Sequence, residues 1–259
     1  MTPVLAFDIE TVPDCAGIRR LYDLPDTLAD AEVAEVAFQK RRAQSGSDFL
    51  APHLHKVAVI SCVLREGDEI KVFSLSGTEK ETIQRFYDGI EKYVPQLVSW
   101  NGGGFDLPVL NYRALANGVA ASKFWDQGED DRDFKWNSYL GRYHARHLDL
   151  MDVLAMYQPR NNAPLDAVAR IAGFPGKIGI GGAEVWPAYQ AGKLAEIRDY
   201  CEADCANTYL LYLRFQLLRG AFTAKAYQHE CAMLRAWIEK QAAPHWKQFL
   251  ALWPEPTLA

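Results

Sequence analysis

The stretch FDIETVPD, Phe7–Asp14, follows the apolar run Val4-Leu5-Ala6-Phe7 and sets two acids on either side of Ile9. Side chains alternate along a strand, so Asp8 and Glu10 project to the same face. Neighbouring carboxylates repel, and each resists losing its water. Either a strand over Val4–Asp8 surfaces here and both acids are solvated, or carboxylate oxygens at the strand's end hold a hard cation. The choice depends on whether the rest of the chain supplies more ligands.

With 259 residues the chain can bury a sizeable core, as one large α/β unit or two small ones. Its 49% hydrophobic and 24% charged residues are ordinary for a globular protein. A net charge of −5 argues against a broad basic face that coats duplex DNA, though a local basic groove stays open. Five cysteines with no CxxC pair or His-rich partner spacing indicate neither a disulfide framework nor a zinc site. Cys201 and Cys205, four apart on a helix, read as small core residues. No signal peptide is legible, and no apolar run reaches the ~18 residues of a membrane-spanning helix. These features predict a reduced, cytoplasmic protein with no membrane partner.

Strand and helix signals alternate. Lys56–Leu64 and Glu69–Leu75 are rich in Val and Ile, and Arg65-Glu66-Gly67-Asp68 joins them as a hairpin. Asp26–Ala43 reads as a helix. Thr78-Glu79-Lys80-Glu81 is a capping box that opens another helix, carrying Ile83, Phe86, Tyr87 and Ile90 inward. Further strands are predicted at Gln96–Trp100 and His147–Leu150. Further helices are predicted over Leu107–Ala116, Met151–Tyr157, Leu165–Ala172, Lys193–Leu218 and Ala224–Gln241. Asp126–His144 reads as a long loop or insertion. The pattern is α/β, a mixed sheet covered by helices, and no linker interrupts it. We therefore expect one domain over 1–259, with its core at about 3–220 and a C-terminal helix at 224–241.

Two later stretches offer more acids. In LVSWNGGGFDLPVL, Leu97–Leu110, an apolar strand delivers Asn101, three glycines allow a tight turn, and Phe105-Asp106 opens a helix. An Asp there is a common cap, but the carboxyl ends of strands are also where α/β sheets place ligands. In RDYCEADCANTY, Arg198–Tyr209, Tyr200 and Asp204 share one helix face. Taken alone, that is an ordinary solvated face.

Together the blocks Asp8-Ile9-Glu10, Asn101-Gly102-Gly103-Gly104-Phe105-Asp106 and Tyr200-Cys201-Glu202-Ala203-Asp204 form an ordered triple. The triple resembles the proofreading exonuclease domain of family B DNA polymerases, in the tyrosine branch of the DEDD group of 3′–5′ exonucleases. In overall layout the chain is similar to stand-alone bacterial proteins described as predicted polymerase-B-like exonucleases. It shares with them stretches like FKWNSY, HLDLMDVL and GFPGK. The resemblance covers about residues 3–220 and implies a ribonuclease H-like fold.

The resemblance further implies that Asp8, Glu10, Asp106 and Asp204 hold two divalent cations, Mg²⁺ or Mn²⁺, for in-line phosphodiester hydrolysis. Tyr200 would orient the attacking water, since a phenol of ordinary pKa is a poor base at neutral pH. Asn101 and Phe105 would face the substrate, with Phe105 stacking on a terminal base. Lys177, in GFPGKIGIGG, could reach a substrate phosphate, although a flexible surface loop also explains that stretch. Lys135, Trp136, Tyr139, Arg142, Tyr143 and Arg146 could form a basic, aromatic rim for a strand. Asp149 could support the metal ligands or simply cap a helix. Only 55 residues follow Asp204, too few for a polymerase, so the activity would work alone or be lent to a partner in a polymerase or repair context. The expected function is a metal-dependent exonuclease on single-stranded 3′ ends, with DNA favoured over RNA. The alternatives are an exoribonuclease, a catalytically silent nucleic-acid-binding adaptor and a phosphatase of small phosphate esters.

Overall fold

Strand β1 (Val4–Pro13) runs through the middle of the molecule, and everything that positions the acids is organised around it. The computed structural model describes residues 2–254. β1 pairs antiparallel with β2 (His55–Glu66), which pairs antiparallel with β3 (Glu69–Ser74). On its other edge β1 pairs parallel with β4 (Gln96–Ser99), and β4 with β5 (His147–Asp149). The sheet order is β3-β2-β1-β4-β5. The helices are α1 (Cys15–Tyr22), α2 (Asp30–Ser45), α3 (Glu79–Tyr93), α4 (Asp106–Asn117), α5 (Ser122–Trp125) and α6 (Leu150–Leu154). They continue with α7 (Leu165–Ile171), α8 (Val185–Gln190), α9 (Leu194–Leu218), α10 (Ala224–Glu239) and α11 (Pro244–Leu252).

Alternation along β1 separates two cores. Leu5, Phe7 and Ile9 face Ile83, Phe86 and Ile90 of α3 and Leu107 and Leu110 of α4. Val4 and Ala6 face the other layer, with Cys205 and Tyr209 of α9 and, behind them, Leu234 of α10 and Phe249 of α11. Burying each large side chain here contributes roughly 1.5–3 kcal/mol. The even face that begins with Val4 and Ala6 continues as Asp8 and Glu10, which therefore look toward α9. α9 is buried nearly all round from Tyr200 to Leu213, because it lies between the sheet and α10 and α11.

The predicted capping box of α3 is present, with Thr78 N–H donating to Glu81 Oε2 at 2.8 Å. Several boundaries differ from expectation. β1 continues to Pro13 instead of ending at Asp8, because β2 stays paired with it as far as Pro13↔His55, past a register shift at Glu10/Thr11. The two acids thus lie inside a strand, not at its end. α2 starts at Asp30 rather than Asp26, where the Glu32 carboxylate accepts from Ala29 N–H at 2.7 Å. α1, α5, α8 and α11 were not anticipated; each spans at most nine residues, too short for a clear helical period. The loop over 126–144 is packed down by Phe134 and Tyr139, both buried in the α3–α4 core. All five cysteines are free and buried.

Candidate metal centre

β1, α4 and α9 each deliver acids to one place. Asp8 and Glu10 come from the even face of β1. Asp106 is the first residue of α4, and its Oδ1 accepts from the Ile9 N–H at 3.2 Å, so the peptide between the two strand acids anchors the third. Asp204 comes from α9, which the Cys201 and Cys205 thiols hold against β1 through the carbonyls of Asp8 and Ala6. An oxygen from Asp8, one from Glu10 and Cys201 Sγ lie within 4.8 Å of one another. Asp106 and Asp204 are buried.

Burial raises the pKa of all four acids, and the charges of their neighbours raise Asp8 and Glu10 further. Burial pushes the Asp8 carboxyl well above its ordinary range, the charges of Asp106, Glu10 and Asp204 push it further, and the Cys201 thiol draws it back. Glu10 is raised by burial, then by Asp204 and Asp106, and lowered by Lys177. Burial lifts Asp106 to about 7 and Asp204 to about 6. Such a cluster is poorly compensated without added positive charge. Among the described residues, Asp204 Oδ1 moreover has no hydrogen-bond partner, and it is buried. An orphaned carboxylate oxygen facing other carboxylates fits a hard divalent cation, so these residues could hold Mg²⁺ or Mn²⁺.

Tyr200 is 4% exposed. Burial, followed by the charges of Asp204, Glu10 and Asp8, raises its pKa far above that of a free phenol. In the metal-free protein its hydroxyl therefore keeps its proton and can donate a hydrogen bond. Lys177 Nζ sits 5.6 Å from the Tyr200 ring centre. The loop carrying it is pinned rather than loose. Asn207 of α9 bonds both the N–H and the carbonyl of Gly176, at 3.1 and 2.8 Å, and Asp166 accepts from Lys177 N–H at 2.7 Å.

The turn before Asp106 is tightly built. Asn101 adopts φ 65, its N–H donates to Asp149 Oδ1 at 2.9 Å, and Gly103 N–H donates to Asp149 Oδ2 at 2.9 Å. Asp149 also accepts from Asp152 N–H at 3.3 Å, so it braces this turn and caps α6. A Cβ on Gly102 would overlap the Ser99 hydroxyl. Phe105 packs on Phe49 and His55, with ring centres 5.1 and 5.0 Å apart. Phe49 is 58% exposed, so the trio is an aromatic shelf open on one side. Phe49 and His55 carried no motif and were missed in the sequence, as was the Cys201 thiol's contact with Asp8. Much of the predicted basic rim is structural instead. Arg142 pairs with Asp152 at 2.7 Å, Arg146 lies 3.7 Å from the Phe134 ring centre, and buried Tyr139 donates to the Pro95 carbonyl.

The family model described as "Predicted 3'-5' exonuclease related to the exonuclease domain of PolB" matches residues 47–253. The chain belongs to this family. The matched span of this PolB-related family takes in Asn101, Phe105, Asp106, Lys177, Tyr200 and Asp204, whereas Asp8 and Glu10 precede it. A solved family B DNA polymerase from the hyperthermophilic archaeon Pyrobaculum calidifontis is similar in fold, with a TM-score of 0.50 at 22% identity. The likeness covers 84% of this chain and 25% of that polymerase, so the chain spans about a quarter of its length. The fold is the ribonuclease H-like α/β arrangement of a PolB exonuclease domain. No curated protein matches the chain. Among the described residues, no helix is long and apolar enough to cross a membrane.

Proposed function

We propose that the chain, acting as one domain, is a metal-dependent exonuclease that removes nucleotides from the 3′ end of single-stranded nucleic acid, with DNA favoured over RNA. The observation that carries this reading is the convergence of Asp8, Glu10, Asp106 and Asp204, with pKa values raised by burial and an orphaned Asp204 oxygen. These four carboxylates would hold two divalent ions, giving up their protons as the ions bind. The ions would supply Lewis-acid polarisation of the phosphoryl group and lower the pKa of water enough for attack at neutral pH.

The protein's own groups then divide the remaining work. Tyr200, kept protonated, donates to and orients the attacking water. Lys177, fixed by the Gly176–Asn207 bonds, offsets Glu10 and Asp204 and meets a phosphate of the substrate. The shelf of Phe49 and Phe105, with Asn101 beside it, offers a stacking surface for terminal bases. Such stacking does not depend on sequence.

The test is digestion of 5′-labelled DNA and RNA oligonucleotides with Mg²⁺, with Mn²⁺ and with chelator. A descending ladder on DNA that chelator abolishes supports the proposal, and a blocked 3′ hydroxyl should suppress it. A ladder on RNA alone would make the chain an exoribonuclease. Binding without cleavage would make it an adaptor, and release of phosphate from a small ester alone would make it a phosphatase.

A further inference from the structure

A cavity of about 590 Å³ lies beside the turn that aims Asp106, within the roughly 300–1,000 Å³ of pockets that take a small molecule. Asn101, Gly103 and Gly104 form one wall. Phe105, the next residue, packs instead on Phe49 and His55. Its N–H donates to the Asn101 carbonyl at 3.0 Å, so the cavity and the aromatic shelf are joined by a single turn of chain.

The lining suits a flat, uncharged group that forms hydrogen bonds. Leu107, Phe124 and Tyr139 supply apolar surface, with the two rings stacked 5.7 Å apart and 12° from parallel. Asn101, Asn111 and Asn162 add three carboxamides. The Tyr87 hydroxyl donates to Asn111 Oδ1 at 2.9 Å, which fixes that amide and leaves its N–H₂ for a ligand. A carboxamide both donates and accepts, and so matches the edge of a nucleobase. The charged residues of the lining are already paired or neutral. Arg142 holds Asp152 through two bonds of 2.7 Å. Asp149 accepts from the Asn101, Gly103 and Asp152 N–H groups. Burial lowers His147 to about 4, so its ring is neutral at pH 7. A phosphate calls for a free cation; a base does not.

Next to Arg142 the backbone is strained. Met156 and Tyr157 are consecutive non-glycine residues in the left-handed region, at φ 55 and 59. Such conformations are costly and gather where a ligand is held. Here they set the Tyr157 ring 5.5 Å from the Arg142 guanidinium and 4.7 Å from the Tyr143 ring. Tyr143 is 72% exposed, which leaves it able to stack on a further base.

We infer that this cavity takes the base of a nucleotide just 5′ of the terminal one, so that a single strand straddles the Asn101–Gly104 turn. Its terminal base lies on the Phe105 shelf and the upstream base lies in the cavity, against the Asn111 and Asn162 amides. The inference rests on the exonuclease reading, from which it takes the direction of the strand. It adds a contact that only a chain of nucleotides can reach.

The test walks one abasic residue along a short single-stranded DNA labelled with fluorescein at its 5′ end. Binding to the full chain is read by anisotropy in chelator, where no metal-dependent cleavage occurs. Kd should rise about tenfold when the abasic residue falls at one of the two positions 5′ of the terminal nucleotide, and should change little when it lies farther upstream. Asn162 is exposed, so Asn162→Trp can plug the cavity without disturbing the core. That variant should bind the intact strand about tenfold more weakly and show no further penalty from the abasic residue. A penalty that is flat along the strand overturns the inference, as does one that is as large in Asn162→Trp as in the wild type. Either result would leave a 3′ ladder, and with it the exonuclease reading, untouched. A position-specific penalty in a protein that cuts no oligonucleotide would keep the base site and reject that reading instead.

Discussion

Without divalent metal, the protein should lose stability as pH rises across neutrality, and the loss should trace to Asp106 and Asp204. Burial raises Asp106 from 3.8 to about 7 and Asp204 from 3.8 to about 6. A group whose folded pKa is raised contributes stability that is fully present below its unfolded value, here near 4, and lost as pH climbs through its folded value. At about 1.36 kcal/mol per pKa unit, Asp106 alone accounts for about 4 kcal/mol between pH 4 and pH 8. In a chain of this size that is a fall of roughly 10 °C in melting temperature. The assay is thermal or urea unfolding at about pH 4 and about pH 8 in chelator, for wild type, Asp106→Asn and Asp204→Asn. Each variant should flatten the pH slope relative to wild type, because an amide cannot ionise. Mg²⁺ or Mn²⁺ should restore the wild type at pH 8 and help the variants less. Identical slopes in wild type and both variants would refute the reasoning, since the acids would then be no harder to ionise when folded than when unfolded.

Four further outcomes follow from the same geometry. Tyr200→Phe keeps the ring and removes one donor, so single-turnover cleavage should fall roughly ten- to hundred-fold with Mn²⁺ binding retained. Asp204→Ala should cost several orders of magnitude in rate and weaken Mn²⁺ binding in calorimetry. Lys177→Met should raise KM more than it lowers kcat, and should make the KM for oligonucleotides less sensitive to salt. Gly102→Ala should destabilise the fold by about 1–3 kcal/mol in urea unfolding, because its methyl overlaps the buried Ser99 hydroxyl at the turn that aims Asp106.

Much of the fold was legible because its strongest signals are local. The alternation of Val4–Glu10, the hairpin around Gly67 and the capping box at Thr78 each need only a few residues to be read. The convergence of the acids could be suspected from their order, but not placed. The β1 acids were expected at a strand end. β2 holds that strand on to Pro13, and residues nearly fifty positions away in sequence cannot be read from the stretch itself. That the loop carrying Lys177 is pinned and not flexible was illegible, because its position depends on Asn207, a contact with no local trace. The structural roles of three of the six predicted rim residues were illegible for a related reason. Composition showed Arg142, Arg146 and Tyr139, but not that Asp152, Phe134 and the Pro95 carbonyl already occupy them.

The contact between Cys201 and Asp8 joins residues 193 positions apart. During synthesis at roughly 5–20 residues per second, Asp8 would therefore emerge some 10–40 s before the helix that completes its surroundings. Through that interval Val4 and Ala6, destined to lie under α9, have no cover, and the two β1 acids remain hydrated and unable to gather ions in the finished arrangement. A nascent chain would thus stay inert toward any nucleic acid near the ribosome until α9 closes over β1. The price of that delay is an apolar strand face left open to other chains, so a ribosome stalled before residue 194 should present this protein at its most aggregation-prone.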